Sequence, residues 1–167
     1  MARIRAIVLD VDGVLTDGGF WWGPEGQEWK RFSFADVMGI SLARKAGLIV
    51  ALVSGEDSPL VDRFAAKMGI RDVYKNSKDK AGALREFAAR NGLDLGEICF
   101  MGDDVNDLQA LAIAGLAAAP ADARPEVLAK AAFVTTRGGG NGAVRELTDS
   151  ILAARSATQL AAKASRQ

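Results

Sequence analysis

The sequence predicts an α/β fold in which a parallel sheet is covered by helices on both faces. Six short β-branched or apolar runs alternate with longer segments of helical period, which is typical of a buried parallel sheet. The runs are residues 4–9, 48–53, 71–74, 97–101, 115–119 and 132–135. No repeat, low-complexity linker or break in composition divides the 167 residues. We therefore expect one domain over residues 1–155 and a C-terminal tail over residues 156–167.

Residue types that favour helix ends support this alternation. Ser58 and Pro59 are typical of the N-cap and the first position of a helix that runs to Met68. Gly69 and Gly92 each follow a segment of helical period, where glycine commonly ends a helix in a left-handed conformation.

One segment, residues 18–32, departs from the alternation of strands and helices. It has glycine-rich turn signals between two aromatic stretches, which predicts a β-hairpin inserted after the first strand. Such a hairpin, carrying Phe20, Trp21, Trp22 and Trp29, would expose a large apolar surface in isolation. We expect it to pack against another subunit; the alternative is a flap folded onto its own domain.

Composition excludes several classes of function. The 21 basic and 21 acidic residues give a formal charge of zero, so nothing favours nucleic acid or an anionic membrane as a partner. The chain has no histidine, which excludes Ser-His-Asp and Cys-His mechanisms. Carboxylates and lysines are left, and the carboxylates favour a hard ion such as Mg²⁺. Cys99 is the single cysteine and can form no internal disulfide. Without a recognisable signal peptide or membrane span, we expect a soluble cytoplasmic protein.

Polar and charged residues follow several of the predicted strands at the point where each strand ends. In an open parallel sheet these ends meet at one edge, where ligands bind. The residues are Asp10, Asp12, Ser54, Gly55, Asp103 and Asp104, and the connection after the third run adds Lys80 at the start of a helix. Together they offer a nucleophile, a proton shuttle, donors for phosphoryl oxygens, a neutralising lysine and carboxylates for a metal. Each residue alone is explained equally by a turn, a helix cap or a solvated side chain, but their ordered appearance predicts phosphoryl transfer.

These residues resemble the four motifs of the haloacid dehalogenase superfamily. The motifs read here as residues 10–16, Ser54, Lys80 and residues 102–107. The resemblance implies that Asp10 is the nucleophile and Asp12 the general acid and base. It also implies that Ser54, Lys80 and the backbone of Gly55 bind the phosphate.

The same resemblance implies a Mg²⁺ site. Its ligands would be Asp10, Asp103 and the backbone carbonyl of Asp12, and Asp104 would support the metal shell. The second aspartate of the first motif, Asp12, is similar to that of the phosphotransferases and is absent from the dehalogenases.

Over nearly its whole length the chain is similar to the branch of this superfamily that hydrolyses phosphorylated ulosonic acids. The similarity rests on the aromatic hairpin, on residues 32–40 and on the late glycine-rich loop at residues 137–146. It implies a Rossmann-like three-layer sheet without a separate cap domain. It also implies a homotetramer formed through the hairpins, in which a neighbouring subunit helps to exclude water from the active site.

The second motif departs from the pattern of this branch. Octulosonate enzymes usually have Thr-Gly-Arg there, and the arginine suits a sugar carboxylate. In this chain the anionic Glu56 stands in place of that arginine. Glu56 and Lys67 resemble a pair found in relatives that act on nine-carbon, sialic-acid-type 9-phosphates; an exposed ion pair is the alternative. Arg137 and Arg145 are either carboxylate ligands or solvated loop residues.

The sequence therefore predicts a magnesium-dependent phosphatase that acts on a small sugar-acid phosphate, with a nine-carbon 9-phosphate favoured. Hydrolysis of 3-deoxy-manno-octulosonate 8-phosphate, or of a broader range of sugar phosphates, is the alternative. A non-catalytic oligomerisation module is the alternative of another class, and the intact Asp10, Asp12, Lys80 and Asp103 argue against it.

Overall fold

Six parallel strands form the central sheet in a computed structural model that describes residues 1–164, without the side chain of Lys163. The strands of the chain are β1 (Ala6–Leu9), β2 (Trp21–Trp22), β3 (Glu28–Trp29), β4 (Ile49–Val53), β5 (Asp72–Tyr74), β6 (Ile98–Met101), β7 (Leu116–Ala119) and β8 (Phe133–Val134). The sheet order is β5-β4-β1-β6-β7-β8. Each of the six predicted runs holds one of its strands. Central β1 pairs with β4 on one side and β6 on the other, which buries it completely.

In the part of the chain that the structure describes, five α-helices lie between strands and a sixth follows the last strand. They are α1 (Phe34–Lys45), α2 (Pro59–Met68), α3 (Lys80–Asn91), α4 (Leu108–Ile113), α5 (Pro125–Leu128) and α6 (Ala143–Ala164). Ser58 Oγ accepts the N–H of Leu60 at 3.3 Å and so caps α2, and Gly69 ends it with a φ of 64°. Both features match the sequence prediction. Within residues 1–164, none of the helices is long and apolar enough to cross a lipid bilayer.

Alternate side chains of β1 face opposite layers of helices. Ile7 and Leu9 lie in a core shared with α1, α2 and α6, whereas Ala6 and Val8 lie in a second core shared with α3, α4 and α5. Because both faces of the sheet are covered, its strands are apolar on both sides. The Rossmann-like three-layer α/β fold predicted from the sequence is therefore confirmed.

Strands β2 and β3 form the predicted hairpin between β1 and α1. They pair antiparallel, with Trp21 opposite Trp29. The side chains of Phe20, Trp21, Trp22 and Trp29 are 51% to 73% exposed. Just after the hairpin, Phe32 stacks on Phe64 of α2 with ring centroids 4.4 Å apart. The base of the hairpin is thus fixed to the domain, while its aromatic surface stays uncovered in the single chain.

Helix α6 begins against a carboxylate from α1. Asp36 accepts the N–H of Gly142 on Oδ2 at 3.1 Å and the N–H of Arg145 on Oδ1 at 3.0 Å. Burial raises the pKa of Asp36, although these N–H donors act in the opposite direction. The helix continues through Ala164, into the segment predicted as a tail. The last residues of that segment, 165–167, lie outside the described residues.

Candidate active site

The polar residues that follow the strands converge on one cavity of about 560 Å³ at the carboxyl edge of the sheet. Of the residues singled out in the sequence, it is lined by Asp10, Asp12, Gly55, Glu56, Lys80, Asp103 and Asp104. The parallel strands bring them together because β1 and β6 are neighbours and β4 lies on the other side of β1.

Lys80 places a buried ammonium between two carboxylates. Its Nζ lies 2.8 Å from Oδ1 of Asp10 and 2.6 Å from Oδ1 of Asp107. Burial alone would lower the pKa of Lys80, but the charges of Asp10 and Asp107 more than offset burial and raise it. Lys80 therefore stays a cation directly beside Asp10.

The negative charge around Asp10 is greater than the single positive charge of Lys80 can balance. Burial raises the pKa of Asp10 well above its ordinary value, and the charge of Asp107 raises it further, against the opposing effect of Lys80. Burial and the charge of Asp107 also raise the pKa of Asp103, to about 6. Two buried carboxylates and the half-buried Asp103, with a single lysine among them, constitute a site that a further cation would stabilise.

Asp10, Asp103 and Asp107 present carboxylate oxygens that all lie within 4.8 Å of one another. Both oxygens of Asp107 are already engaged, Oδ1 by Lys80 and Oδ2 by the N–H groups of Asp103 and Asp104 at 2.9 and 3.3 Å. By contrast, Oδ1 of Asp103 is buried without a hydrogen-bond partner. A buried carboxylate oxygen without a donor suits a hard divalent cation. Asp10 and Asp103 thus fit Mg²⁺, and Asp107 holds the loop that carries Asp103.

The backbone just after Asp12 closely approaches the carboxylate of Asp103. Gly13 has a φ of 90°, and a Cβ on it would lie 2.1 Å from Oδ2 of Asp103. Only glycine combines this conformation with this contact. The turn after β1 is therefore fitted closely around the carboxylate of Asp103.

The side chain of Asp12 is held from the hairpin. Its Oδ1 accepts a hydrogen bond from Nζ of Lys30 at 2.8 Å, and Lys30 also lies 3.4 Å from Oε1 of Glu28. Burial alone would lower the pKa of Lys30, but the hydrogen bonds and charges of Asp12 and Glu28 together raise it. Sequence reasoning missed Lys30, since no motif relates a hairpin residue to a side chain eighteen positions before it.

The second motif forms a tight loop at the end of β4. Ser54 is fully buried, and its Oγ accepts the N–H of Glu56 at 3.1 Å, which leaves its hydroxyl proton free to donate. The ammonium of Lys78 donates to the carbonyl of Gly55 at 2.8 Å and fixes the loop from the other side. Gly55 lines the cavity, whereas the buried Ser54 does not.

Within one chain the structure does not bring Glu56 and Lys67 together. Glu56 lines the cavity that contains Asp10. Lys67 lies near the end of α2, with its ammonium 5.4 Å from the centroid of the Phe34 ring. It lines a separate cavity of about 300 Å³ beside Arg63.

Arg124 is a cation at the site that sequence reasoning missed. It lines the cavity, donates its backbone N–H to the carbonyl of Asp103 at 2.8 Å and places Nε 3.6 Å from Oδ2 of Asp104. The rule that residues beyond strand ends form the site could have found it, because it follows β7. Arg137 and Arg145 do not line this cavity, and Arg145 instead binds Asp149 on its own helix.

Comparison with known proteins gives consistent matches. A family model described as a haloacid dehalogenase-like hydrolase matches residues 56–147. The 3-deoxy-D-manno-octulosonate 8-phosphate phosphatase of Yersinia pestis is 39% identical over 153 residues, which covers 92% of this chain and 82% of that protein. The corresponding phosphatase of Escherichia coli K12 is 36% identical over 152 residues, with 91% and 81% covered.

Solved structures match over similar lengths. The phosphatase of this name from Moraxella catarrhalis, solved in complex with magnesium ion, phosphate ion and KDO, has a TM-score of 0.91 and 34% identity, covering 99% of this chain and 95% of that one. The Yersinia pestis structure has a TM-score of 0.91 and 38% identity, covering 93% and 84%.

Proposed function

Since the chain belongs to the haloacid dehalogenase-like hydrolases, in the branch of the 3-deoxy-D-manno-octulosonate 8-phosphate phosphatases, we propose that it hydrolyses the terminal phosphate ester of an ulosonic acid with the help of Mg²⁺. The observation that carries this proposal is the arrangement of Lys80 against Asp10 beside the unpartnered oxygen of Asp103. It provides a nucleophile, a fixed cation for phosphoryl oxygens and a metal ligand in one cavity. A non-catalytic module would have no need of these buried charges.

Hydrolysis proceeds in two displacements on this geometry. A carboxylate oxygen of Asp10 attacks phosphorus, the bond from phosphorus to the sugar oxygen breaks, and Asp12 gives its proton to that oxygen. Water then attacks the phosphorus of the aspartyl-phosphate, Asp12 takes a proton from the water, and the Asp10 carboxylate leaves. Lys80 and the Ser54–Gly55 loop hold the phosphoryl oxygens during both steps. Mg²⁺, held by Asp10 and Asp103, would neutralise phosphate charge and orient it for attack.

The substrate we place first is the eight-carbon 3-deoxy-manno-octulosonate 8-phosphate. The names of the relatives support it, and Arg124 offers the cavity a cation for an acidic sugar. A nine-carbon 9-phosphate is the second candidate, because Glu56, which resembles a residue of relatives that act on such substrates, lines the cavity. The separation of Lys67 from this cavity within one chain removes one argument for the nine-carbon substrate.

We also propose that the protein is a homotetramer assembled through its hairpins. The exposed aromatic side chains of the hairpin support this, together with Phe34, which is 81% exposed at the start of α1. Burying such a surface against other copies would release the water that it orders.

The proposed hydrolysis, with Asp10 as the nucleophile, is tested by measuring phosphate release from ulosonic acid phosphates with the wild-type protein and with Asp10→Asn. We expect Mg²⁺-dependent release by the wild type and a loss of about a thousandfold or more in the variant, because the amide cannot attack phosphorus. Asp149→Asn, which changes an exposed aspartate paired with Arg145, is the matched control and should retain activity. Turnover by Asp10→Asn at the wild-type rate would refute the proposed nucleophile.

The substrate is tested by comparing kcat/KM for the eight-carbon 8-phosphate, nine-carbon 9-phosphates and simple hexose phosphates. Glu56→Arg is assayed in parallel. If Glu56 selects the nine-carbon sugar, this variant shifts the ratio toward the eight-carbon acid, because it restores the arginine that octulosonate enzymes usually have at this position. An unchanged ratio would show that Glu56 does not select the substrate.

A further inference from the structure

We propose that Lys30 is a positioning residue that fixes the carboxylate of Asp12 for proton transfer and so ties the hairpin to the chemistry. This inference rests on the proposed function, because it concerns the group that moves the proton in both displacements. Lys30 itself acts through Asp12.

In the contact between Lys30 and Asp12, the lysine side chain is buried and the carboxylate is partly exposed. The side chain of Lys30 is only 5% exposed, and its Nζ lies 2.8 Å from Oδ1 of Asp12. Asp12 is 33% exposed and lines the cavity that contains Asp10. Lys30 therefore reaches Asp12 from inside the protein, and the carboxylate remains open to the cavity.

The backbone around Lys30 is fixed at both ends. Lys30 directly follows β3, whose Trp29 pairs with Trp21, and two residues later Phe32 stacks on Phe64. The ammonium is also held by Glu28 at 3.4 Å. The position of the Lys30 ammonium is thus set by the base of the hairpin.

Asp12 has few other restraints on its side chain. Within residues 1–164, the hydrogen bond from Lys30 is the one that reaches its carboxylate. Without it, the staggered rotamers of Asp12 become accessible in a turn that is open to the cavity. Proton transfer requires the carboxylate within hydrogen-bond reach of the leaving oxygen and then of the attacking water. A single orientation serves both steps, and Lys30 selects it.

Stability alone is a poor reason for this contact. Burying an ammonium costs desolvation, and a buried ion pair contributes little net stability compared with apolar residues of similar size. A lysine buried against the proton-transfer group is better explained by the orientation it imposes.

The test is a double-mutant cycle between Lys30→Met and Asp12→Asn, with melting temperature and oligomeric state measured for each protein. We expect Lys30→Met to lower kcat about tenfold to a hundredfold, part of the contribution of general acid–base catalysis, and to change KM by less than about threefold. Arg31→Gln is the matched control, because it removes the adjacent cation, which binds Asn141 and Asp17 instead. It should retain nearly full activity.

The cycle separates positioning from a general structural effect. If Lys30 acts through Asp12, Lys30→Met lowers kcat when Asp12 is present but does not lower it further in a protein that already carries Asp12→Asn. Fully additive losses would overturn the inference, as would a wild-type kcat in a folded Lys30→Met protein. Lys30→Arg and Lys30→Gln provide a second comparison if the methionine variant does not fold: better activity with arginine supports the inference, and equal activity contradicts it. A wild-type protein that releases phosphate from no monoester would instead refute the proposed function.

Discussion

The ammonium of Lys80 lies 2.6 Å from Oδ1 of Asp107, a carboxylate that is itself fully buried. The other oxygen of Asp107 accepts the N–H groups of Asp103 and Asp104. One side chain therefore links the phosphate-binding cation, at the start of α3, to the loop that carries the metal ligand after β6. The two halves of the site cannot move independently while this link is intact.

Replacing Asp107 with alanine should weaken both halves at once. The change leaves Lys80 with Asp10 as its one carboxylate and removes the acceptor of two backbone N–H groups. We expect the free energy of unfolding to fall by about 3 kcal/mol, as on breaking a buried ion pair. The Mg²⁺ concentration for half-maximal activity should rise because the Asp103 loop is released. Urea denaturation and a Mg²⁺ titration of phosphate release measure the two effects.

Asp62→Ala is the matched control for Asp107. Asp62 also pairs with a lysine, Lys75, but its side chain is 56% exposed. An exposed pair of this kind contributes less than about 1 kcal/mol. Equal effects of the two substitutions would contradict the linking role of Asp107.

The positions of the strands, and the residues that follow them at the edge of the sheet, could be predicted from the sequence because they depend on local periodicity. Each of the six predicted runs contains a strand, and the residues beyond β1, β4 and β6 lie together, since parallel strands end at the same edge. The cap at Ser58 and the left-handed glycine at Gly69 were likewise predictable from residue type alone.

The contacts that connect distant segments could not be predicted. Lys30 reaches Asp12 only because the hairpin folds back beside the turn after β1. Lys67 lies outside the cavity that contains Asp10 because it is near the end of α2. These outcomes depend on how the hairpin and the helices pack, which periodicity does not encode. Asp107 was within the quoted motif, but its burial against Lys80 was needed to distinguish it from a helix cap.

Arg124 should contribute to recognition of an acidic sugar. It is a cation lining the cavity, and Lys80 is already engaged by Asp10 and Asp107. We expect Arg124→Gln to lower kcat/KM for an ulosonic acid phosphate about tenfold to a hundredfold, the range for losing a charge-assisted hydrogen bond. Its activity on a hexose phosphate, which has no carboxylate, should change by less than about twofold.

Arg137→Gln is the control for Arg124, because Arg137 lies in the late loop and does not line this cavity. Comparable losses in Arg124→Gln on substrates with and without a carboxylate would show that this arginine supports the fold of the loop and does not recognise the sugar carboxylate.

The hairpin should control assembly. Trp22 is 73% exposed and its ring lies 5.0 Å from that of Phe20, so the two form one exposed aromatic unit. Serine at both positions should shift a tetramer toward smaller species with little loss of monomer stability, since these side chains contribute little to the monomer core. Sedimentation velocity measures the shift, and Leu160→Ser, at an exposed apolar residue of α6, is the control. An unchanged tetramer in the double variant would exclude the hairpin as the interface.

Asp36 should make stability depend on pH with a definite sign. Burial raises the pKa of its carboxyl above the ordinary 3.8, so the folded protein binds this proton more tightly than the unfolded chain does. Its ionised form therefore lowers the free energy of unfolding above the folded pKa, and this penalty disappears as the pH falls from there toward 3.8. Asp36→Asn does not titrate at this position. The free energy of unfolding of the wild type relative to this variant should consequently increase between pH 7 and pH 4 in urea denaturation. All other carboxyls are common to both proteins, so their contributions cancel in the difference between the two free energies of unfolding. A difference that falls with decreasing pH would mean that the N–H donors of Gly142 and Arg145 outweigh burial at Asp36.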